Sequence, residues 1–241
     1  MPDEWNARRT AFGDASDDYA SGRPGYPLDA VTWVLPPGAQ RVLDLGAGTG
    51  RLTERLLQVG LDVVAVEPLA EMRRHIPSGA EVLDGTAESI PLPDASVDAV
   101  VAGQAFHWFD VPHTMPEIAR VLRPHGTVGL MWNMLDDRDP WVDSFARLIN
   151  AEERISAMPP DEQEPPYPAT AEVGPAQQRV FGHTERYDAD RLAAFVRSRS
   201  QTILLDDTER DALLTAVRDL APNGEFALPL VCEVWRGERA P

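Results

Sequence analysis

The chain has 241 residues, one cysteine and a formal net charge of −17 at pH 7. This length fits one α/β domain with an elaboration, and one cysteine excludes an intrachain disulfide and a cysteine-rich metal site, so we predict no metal. The negative charge disfavours nucleic acid and anionic membrane surfaces as partners. All 22 basic residues are arginine, which excludes Schiff-base catalysis by lysine.

The sequence shows no targeting or membrane signal. Its acidic start, Met-Pro-Asp-Glu-Trp, lacks a basic segment followed by an apolar one, and no run of about 18 apolar residues occurs anywhere. We therefore expect a cytoplasmic protein that has no membrane partner.

The first half of the chain predicts a cap followed by a core. Residues 1–36 begin with few aliphatic side chains and end in a helix at 27–35, which predicts an N-terminal helical cap. Residues 37–136 alternate short apolar runs with helical patterns, which predicts a doubly wound parallel sheet. The predicted strands are 41–45, 62–67, 80–83, 97–102 and 127–132, the predicted helices are 51–59, 69–75 and 112–122, and 124–126 is a predicted turn.

The alternation of short apolar runs with helical patterns ends at residue 136. Residues 137–200 predict a helical insertion or lid, in which the Pro- and Glu-rich stretch 158–175 is either a lid or a disordered segment. Residues 201–241 are predicted to complete the sheet with a C-terminal helix and strand. The helices predicted in this part are 140–155, 192–199 and 207–220, and the predicted strand is 231–236.

The most specific motif is the segment 41–50, in which an apolar strand runs into one acid and three alternate glycines. Asp44 is costly in such a strand unless it is hydrogen-bonded or faces a cationic ligand, so it suggests a site. The glycines allow positive φ and a close approach of the backbone to a ligand at the start of the next helix. A nicotinamide-dinucleotide loop would need a small residue where Arg51 stands.

The spacing Asp-x-Gly-x-Gly-x-Gly resembles the first motif of class I methyltransferases, which bind S-adenosylmethionine (SAM). The resemblance implies an α/β, Rossmann-like class I methyltransferase fold with a seven-stranded, mostly parallel sheet and helices on both faces. It also implies SAM as the cofactor. Glu67 ends the second predicted strand, where an acid in Rossmann-like folds accepts hydrogen bonds from ribose hydroxyls.

The segment 85–93 resembles the stretch after the third strand in the same family. Thr86 stands where the family has an aspartate that reads the adenine amino group, and a hydroxyl can still accept one hydrogen bond. Met72 occupies the position that packs against adenine, although a core methionine fits equally, and Glu88 could equally be a surface acid. The predicted cofactor-binding residues are Asp44, Gly46, Gly48, Gly50, Glu67, Pro68, Met72, Thr86, Ala87, Glu88 and Gln104.

The segment 103–110 follows the fourth predicted strand, across the switch point from the glycines, where the reacting group of a substrate is expected. Its string Gln-Ala-Phe-His-Trp-Phe-Asp resembles the subgroup of class I methyltransferases that includes trans-aconitate methyltransferases and related small-molecule O-methyltransferases. His107 is the candidate catalytic base because its ordinary pKa lies near neutrality. The alternative is that His107 packs against or orients Trp108.

The cap supplies further candidates for binding the acceptor, and its pattern Tyr-x-x-x-Arg-Pro-x-Tyr-Pro is similar to that of the same subgroup. Arg23 could hold an anionic substrate, because a guanidinium matches a carboxylate fork, or it could cap a helix or pair with an acid. Tyr19 and Trp108 complete the predicted substrate-binding set. Ser198 and Ser200 lie in the late region that closes over the acceptor in this family.

These observations predict a SAM-dependent methyltransferase that acts on a small-molecule acceptor, at a carboxylate or hydroxyl oxygen. A carboxylate would need no general base, whereas a hydroxyl or amine would. One alternative is a non-catalytic member of the fold that binds SAM or a protein partner. The other is a nicotinamide-dependent oxidoreductase, against which Arg51 counts. The oligomeric state is left open.

Overall fold

The chain forms a seven-stranded sheet with helices on both faces. The computed structural model describes residues 16–151 and 164–241. The strands are β1 (Arg41–Leu45), β2 (Asp62–Val66), β3 (Glu81–Leu83), β4 (Val97–Gly103), β5 (Leu122–Leu135), β6 (Gln177–Tyr187) and β7 (Phe226–Glu238). The helices in these ranges are α1 (Ser16–Gly22), α2 (Leu28–Val34), α3 (Arg51–Gln58), α4 (Ala70–Arg73), α5 (Val111–Val121), α6 (Pro140–Leu148), α7 (Ala189–Arg197), α8 (Ser200–Ile203) and α9 (Asp207–Leu220).

The strand order is β3-β2-β1-β4-β5-β7-β6. β1 pairs in parallel with both β2 and β4, and the pairs β2–β3 and β4–β5 are also parallel. Because parallel neighbours need a crossover connection, helices separate these strands in the sequence. This order confirms the Rossmann-like fold that the sequence predicts.

Neighbouring residues of the central strands point to opposite faces of the sheet, and both faces are buried. Val42 belongs to one core cluster together with Leu56 of α3, whereas Leu43 belongs to another cluster together with Ile118 of α5. All four side chains are at most 1% exposed. Burial on both faces explains why these strands are continuous apolar runs in the sequence.

The described residues form two compact units. One unit contains residues 25–133, 164–181 and 232–241, and it holds the parallel part of the sheet. The other contains residues 16–24, 134–151 and 182–231, and its own core is built from α6, α7 and α9 around Phe145, Tyr187 and Phe195.

The prediction that residues 137–200 are helical is wrong for strand β6. Its first four residues are exposed, the next six alternate between half-buried and exposed before the buried Tyr187, and most of its residues are polar. β6 is the last strand in the sheet order, so among the described strands only β7 pairs with it. An edge strand of this kind buries few apolar side chains, and its sequence therefore lacks the apolar run that marks the central strands.

The turn predicted at 124–126 is instead part of the long strand β5. β5 pairs with β4 at Val97–Leu122 and next at Ala99–Thr127. More residues of β5 than of β4 lie between these two pairs, so β5 contains a bulge there. His125 lies in this bulge with φ +62. The Pro-His-Gly sequence thus distorts the strand without ending it.

Several predicted boundaries change or lie outside the described residues. The helix predicted at 140–155 ends at Leu148, and the strand predicted at 231–236 is the longer β7. Residues 1–15 of the cap and 152–163 of the insertion lie outside the described ranges. Residues 164–175 are bonded to the end of β7, since the amide of Gly174 donates to Glu238 O at 2.9 Å and Val173 forms a bridge with Arg239.

Replacing Gly129 in β5 tests how tightly α2 packs on the sheet. An added Cβ atom would lie 2.7 Å from Val34 Cβ, so we expect Gly129→Ala to lower stability by about 1–3 kcal/mol through overpacking. Gly182→Ala is the matched control, because a Cβ added there meets nothing within 4 Å. Chemical denaturation measures both variants, and equal stabilities would contradict the packing.

Candidate functional site

The strand order reverses between β1 and β4, and such a switch point creates a crevice beyond the carboxyl ends of the strands. The glycine loop (residues 46–50) follows β1, and the acceptor segment (residues 103–110) begins at the end of β4. The two contact each other, since a Cβ atom added to Gly46 would lie 2.9 Å from Ala105 Cβ. A ligand bound in this crevice can therefore touch both segments.

Asp44 lies in β1 beneath the glycine loop and is 1% exposed. Its Oδ2 atom accepts a hydrogen bond from Thr53 Oγ1 at 2.6 Å, whereas Oδ1 is buried with no hydrogen-bond partner in the described part of the chain. The pKa of Asp44 is raised to about 7, chiefly by burial and to a smaller extent by the neighbouring Glu67, while hydrogen bonds from Thr53 oppose the rise. A ligand that brings a cation or a hydrogen-bond donor would satisfy Oδ1.

Glu67 follows β2 and is 6% exposed. Its Oε2 accepts a hydrogen bond from the amide of Gly48, and its Oε1 accepts one from the amide of Leu69, both at 2.9 Å. Burial raises the pKa of Glu67, and these two bonds and nearby Arg73 oppose the rise. A carboxylate has about four lone-pair positions, so Glu67 retains capacity for ribose hydroxyls while it also fixes the glycine loop.

The glycine loop has a backbone shape that other residues rarely adopt. Gly46, Gly48 and Gly50 have φ values of +70, +56 and +86, and Gly50 is the N-cap of α3. The amides of Gly46 and Ala47 both donate to Val66 O, at 2.9 and 3.1 Å, which ties the loop to the end of β2. The three glycines are thus required by conformation as well as by access for a ligand.

The residues predicted to contact adenine differ in their surroundings. Met72 and Ala87 are buried, Pro68 is half-buried, and Thr86 and Glu88 are exposed. The Oε1 atom of Glu88 accepts a hydrogen bond from the amide of Asp110 at 3.0 Å. Glu88 therefore links the segment after β3 to the end of the acceptor segment, a role that the sequence does not predict.

Gln104 starts the turn of the acceptor segment with φ +54. Its amide donates to Met131 O and its side-chain Nε2 donates to Asn133 O, both at 2.8 Å. The side chain of Asn133 in turn donates to Gly25 O at 2.9 Å. Gln104, predicted to bind the cofactor, thus joins the end of β5 to the end of β4.

His107 lies in a 3-10 turn, Phe106–Trp108, whose first residue is buried. Its imidazole is exposed, and its Nδ1 atom lies 3.4 Å from the indole Nε1 of Trp132, which donates a hydrogen bond to it. The rings of His107 and Trp108 have centroids 5.0 Å apart. The structure therefore brings His107 together with Trp108, as one of the two interpretations of the sequence predicts, and adds Trp132.

Arg23 and Tyr19 belong to the other compact unit. The guanidinium of Arg23 donates to Ser198 Oγ at 2.9 Å and to Ser198 O at 3.0 Å, at the end of α7. It also lies over the rings of Tyr19 and Phe195, 4.8 and 5.5 Å from their centroids. Of the roles that the sequence left open for Arg23, capping a helix is the one seen in these contacts.

Sequence reasoning missed Thr53, Trp132 and Asn133, each of which holds a predicted site residue. Thr53 is a buried hydroxyl in the first turn of α3, one turn past the glycines. Trp132 and Asn133 follow an apolar run in β5, much as Asp44 does in β1. A polar group at the end of a buried strand is the signal that could have identified them.

Within residues 16–151 and 164–241, no group of three or more His, Cys, Asp or Glu side chains is placed to hold a metal ion. No helix in those two ranges has the length and apolar composition needed to cross a membrane.

Comparison with known proteins agrees with this geometry. A family model described as a methyltransferase domain matches residues 43–130. An uncharacterized methyltransferase of Mycobacterium tuberculosis is 43% identical over 232 residues, which is 92% of each chain. The malonyl-[acyl-carrier protein] O-methyltransferase of Methylococcus capsulatus is 38% identical over 154 residues, or 54% of this chain and 55% of that protein.

A solved structure supports the same fold. A protein from Anaeromyxobacter dehalogenans with a provisional type II methyltransferase assignment superposes with a TM-score of 0.63 at 23% identity. The match covers 91% of this chain and 99% of that one. The chain belongs to the methyltransferase family, and its enzyme class is that of the SAM-dependent methyltransferases.

The ionisation of Asp44 gives a test of its burial. In the folded protein the pKa of Asp44 is raised from 3.8 to about 7, so the folded state binds a proton at Asp44 more tightly than the unfolded chain does. The stability that this proton contributes is fully present below about pH 4 and is lost as the pH rises through 7. We expect Asp44→Asn to raise the stability of the unliganded protein by about 1 kcal/mol or more at pH 8, and by less at pH 5. Thermal unfolding at both pH values measures this, and a gain independent of pH would contradict the raised pKa.

The contacts of Arg23 predict that it stabilises its unit. Because hydrogen bonds from a charged group contribute about 1.5–3 kcal/mol, we expect Arg23→Ala to lower stability by about that amount. Arg147→Ala is the control, since its ion pair with Asp143 is on the surface, where solvent screening leaves such a pair little effect on stability. If the two variants unfolded at the same denaturant concentration, the capping role of Arg23 would be wrong.

Proposed function

We propose that the protein transfers the methyl group of SAM to an oxygen atom of a small-molecule acceptor. The observation that carries the proposal is the buried Oδ1 atom of Asp44 beside the glycine loop, which has no hydrogen-bond partner among the described residues. SAM bears both an ammonium group and a sulfonium, so it offers the donor or the positive charge that this oxygen lacks. Glu67, with lone pairs left for hydroxyl groups, supports the placement of the ribose at the end of β2.

Predicted residues of the unit that holds the glycine loop have proposed roles in the same crevice. The flanks of the adenine site would be Met72, Ala87 and the exposed Thr86, with Pro68 beside them. His107 and Trp108 are exposed on the acceptor segment and would face the acceptor. The proposal that Tyr19 and Arg23 contact the acceptor rests on the family resemblance alone.

When bound, SAM supplies an electrophilic methyl group that is ready for displacement by a nucleophile. The residues of the chain contribute by binding and orientation. Asp44 and Glu67 hold the donor side, while the acceptor segment holds the other side of the crevice. Holding two reactants in line contributes on the order of 7 kcal/mol to lowering a barrier, so positioning is sufficient for a substantial rate.

Oxygen as the methylated atom is supported by one relative. The protein of Methylococcus capsulatus is named as an O-methyltransferase of a malonyl-carrier protein, and it shares 38% identity over about half of this chain. Membership of the subgroup that includes trans-aconitate methyltransferases, a cytoplasmic location and a small-molecule acceptor stay predictions.

Isothermal titration with SAM and with its demethylated product tests the cofactor assignment. We expect both ligands to bind, and Glu67→Gln to weaken binding about tenfold, or about 1.4 kcal/mol. Asp211→Asn, an exposed acid on α9, serves as the control and should leave binding unchanged. An absence of binding at millimolar ligand would contradict the proposal.

Turnover separates an enzyme from the non-catalytic alternative. The protein is incubated with SAM and a panel of small carboxylic acids and hydroxy compounds, and release of the demethylated cofactor is measured. If release of the demethylated cofactor depends on one acceptor, the proposal is supported. If SAM binds but no compound of the panel causes release, a non-catalytic role is supported.

A further inference from the structure

We propose that Trp132 is a positioning residue that fixes His107 as a hydrogen-bond donor toward the acceptor, so that His107 does not act as the general base. The inference deepens the proposed function and rests on it for the presence of an acceptor. It starts from the contact between the Trp132 indole N–H and His107 Nδ1 at 3.4 Å.

The direction of this contact decides the tautomer. An indole N–H can only donate, so Nδ1 of His107 must accept with its lone pair. In a neutral imidazole one nitrogen accepts and the other carries the proton, so the proton lies on Nε2. An Nε2–H group donates a hydrogen bond and has no lone pair with which to take a proton.

The surrounding contacts hold both rings in this arrangement. Trp132 follows Met131, which pairs with Gly103 in the ladder between β4 and β5. The amide of Gln104 donates to Met131 O at 2.8 Å, so the acceptor segment starts directly beside Trp132. Trp132 is therefore attached near the carboxyl end of β5, and His107 follows in the 3-10 turn just beyond the end of β4, which pairs with β5.

The 3-10 turn that carries His107 is also anchored from below. Phe106 is 3% exposed and makes edge contacts with Phe109 and Tyr167, with ring centroids 5.7 and 6.4 Å apart. Trp108 lies against the imidazole ring on one side. Phe106 thus anchors the turn, and Trp108 covers one side of the imidazole, whose Nδ1 faces the indole N–H of Trp132.

This assignment constrains the reaction that the site can perform. In the methyl transfer, the bond between sulfur and the methyl carbon breaks, a bond from the acceptor oxygen to that carbon forms, and the electron pair stays on sulfur. If His107 only donates, no proton passes to it from the acceptor. The acceptor oxygen is then one that is already ionised, and the Nε2–H group orients it.

Nitrogen-15 NMR of the full-length protein tests the tautomer without any acceptor. Long-range proton–nitrogen spectra distinguish a protonated ring nitrogen from an accepting one, and His107→Gln identifies the His107 signals among the five histidines. We expect Nε2 protonated and Nδ1 accepting in the wild type. A wild-type His107 that is protonated at Nδ1 would overturn the proposal.

Substitution of the donor shows whether Trp132 is responsible. Trp132→Phe removes the N–H group and keeps an aromatic ring, so we expect the Nδ1 signal of His107 to shift and the Nδ1–H form to become detectable. Trp141→Phe is the matched control, because its indole N–H donates to Leu220 O and not to a histidine. An unchanged His107 spectrum in Trp132→Phe would also overturn the proposal.

Kinetics with an acceptor that supports turnover gives a second readout. A glutamine side chain can donate a hydrogen bond but cannot act as a base. We therefore expect His107→Gln to keep a kcat/KM about tenfold above that of His107→Ala. Equal values for the two variants would overturn the donor role of His107. Failure of the whole proposed function would show as absent SAM binding, which leaves the NMR result interpretable by itself.

Discussion

The parallel pairing of β1 with β4 is the constraint on which the site depends. Val42, Leu43 and Asp44 pair with Ala99, Val100 and Val101, and both faces of these strands are buried. A fully buried aliphatic side chain contributes about 1.5–3 kcal/mol, so a slip in this register would be costly. Since the two strands end at the same edge, the glycine loop and the acceptor segment are brought into contact there.

Hydrogen bonds from the glycine loop and its flanking segments explain how acids are tolerated beside that loop. A buried carboxylate is unfavourable unless its oxygens are bonded, and Glu67 meets this condition through the amides of Gly48 and Leu69. Asp44 meets it at Oδ2, through Thr53, whereas its Oδ1 has no partner within residues 16–151 and 164–241. The unsatisfied oxygen is a local cost that a bound ligand would remove, which links folding energetics to binding.

On the acceptor side, aromatic packing adds to the backbone hydrogen bonds that hold the segment. The ring of Tyr167 packs against Phe106 and against the backbone of Gly237, where an added Cβ would overlap the Tyr167 hydroxyl. Residues 164–175 are bonded to the end of β7, including the bond from the Ala240 amide to Glu172 O at 2.9 Å. The described part of the predicted lid is thus a support for the 3-10 turn that carries His107.

Much of the fold and of the cofactor side could be predicted from sequence, because both depend on local patterns. The apolar run with Asp44 and the three glycines fixes a strand, a turn of positive φ and a helix start within ten neighbouring residues. Strand β6 could not be predicted in this way. Its polar residues form a strand only because the edge of β7 supplies hydrogen-bond partners, and no local pattern records that edge.

The sequence by itself determined the class of fold, the glycine loop, the acids at the ends of β1 and β2 and the candidacy of His107. Only the tertiary structure decided what those residues contact. It gave Asp44 one partner and left one oxygen unsatisfied, it placed Arg23 on the end of α7, and it set Trp132 against His107. These pairings join residues from different elements, and a hydrogen bond between distant segments is specified by the packing of the strands and helices that carry them.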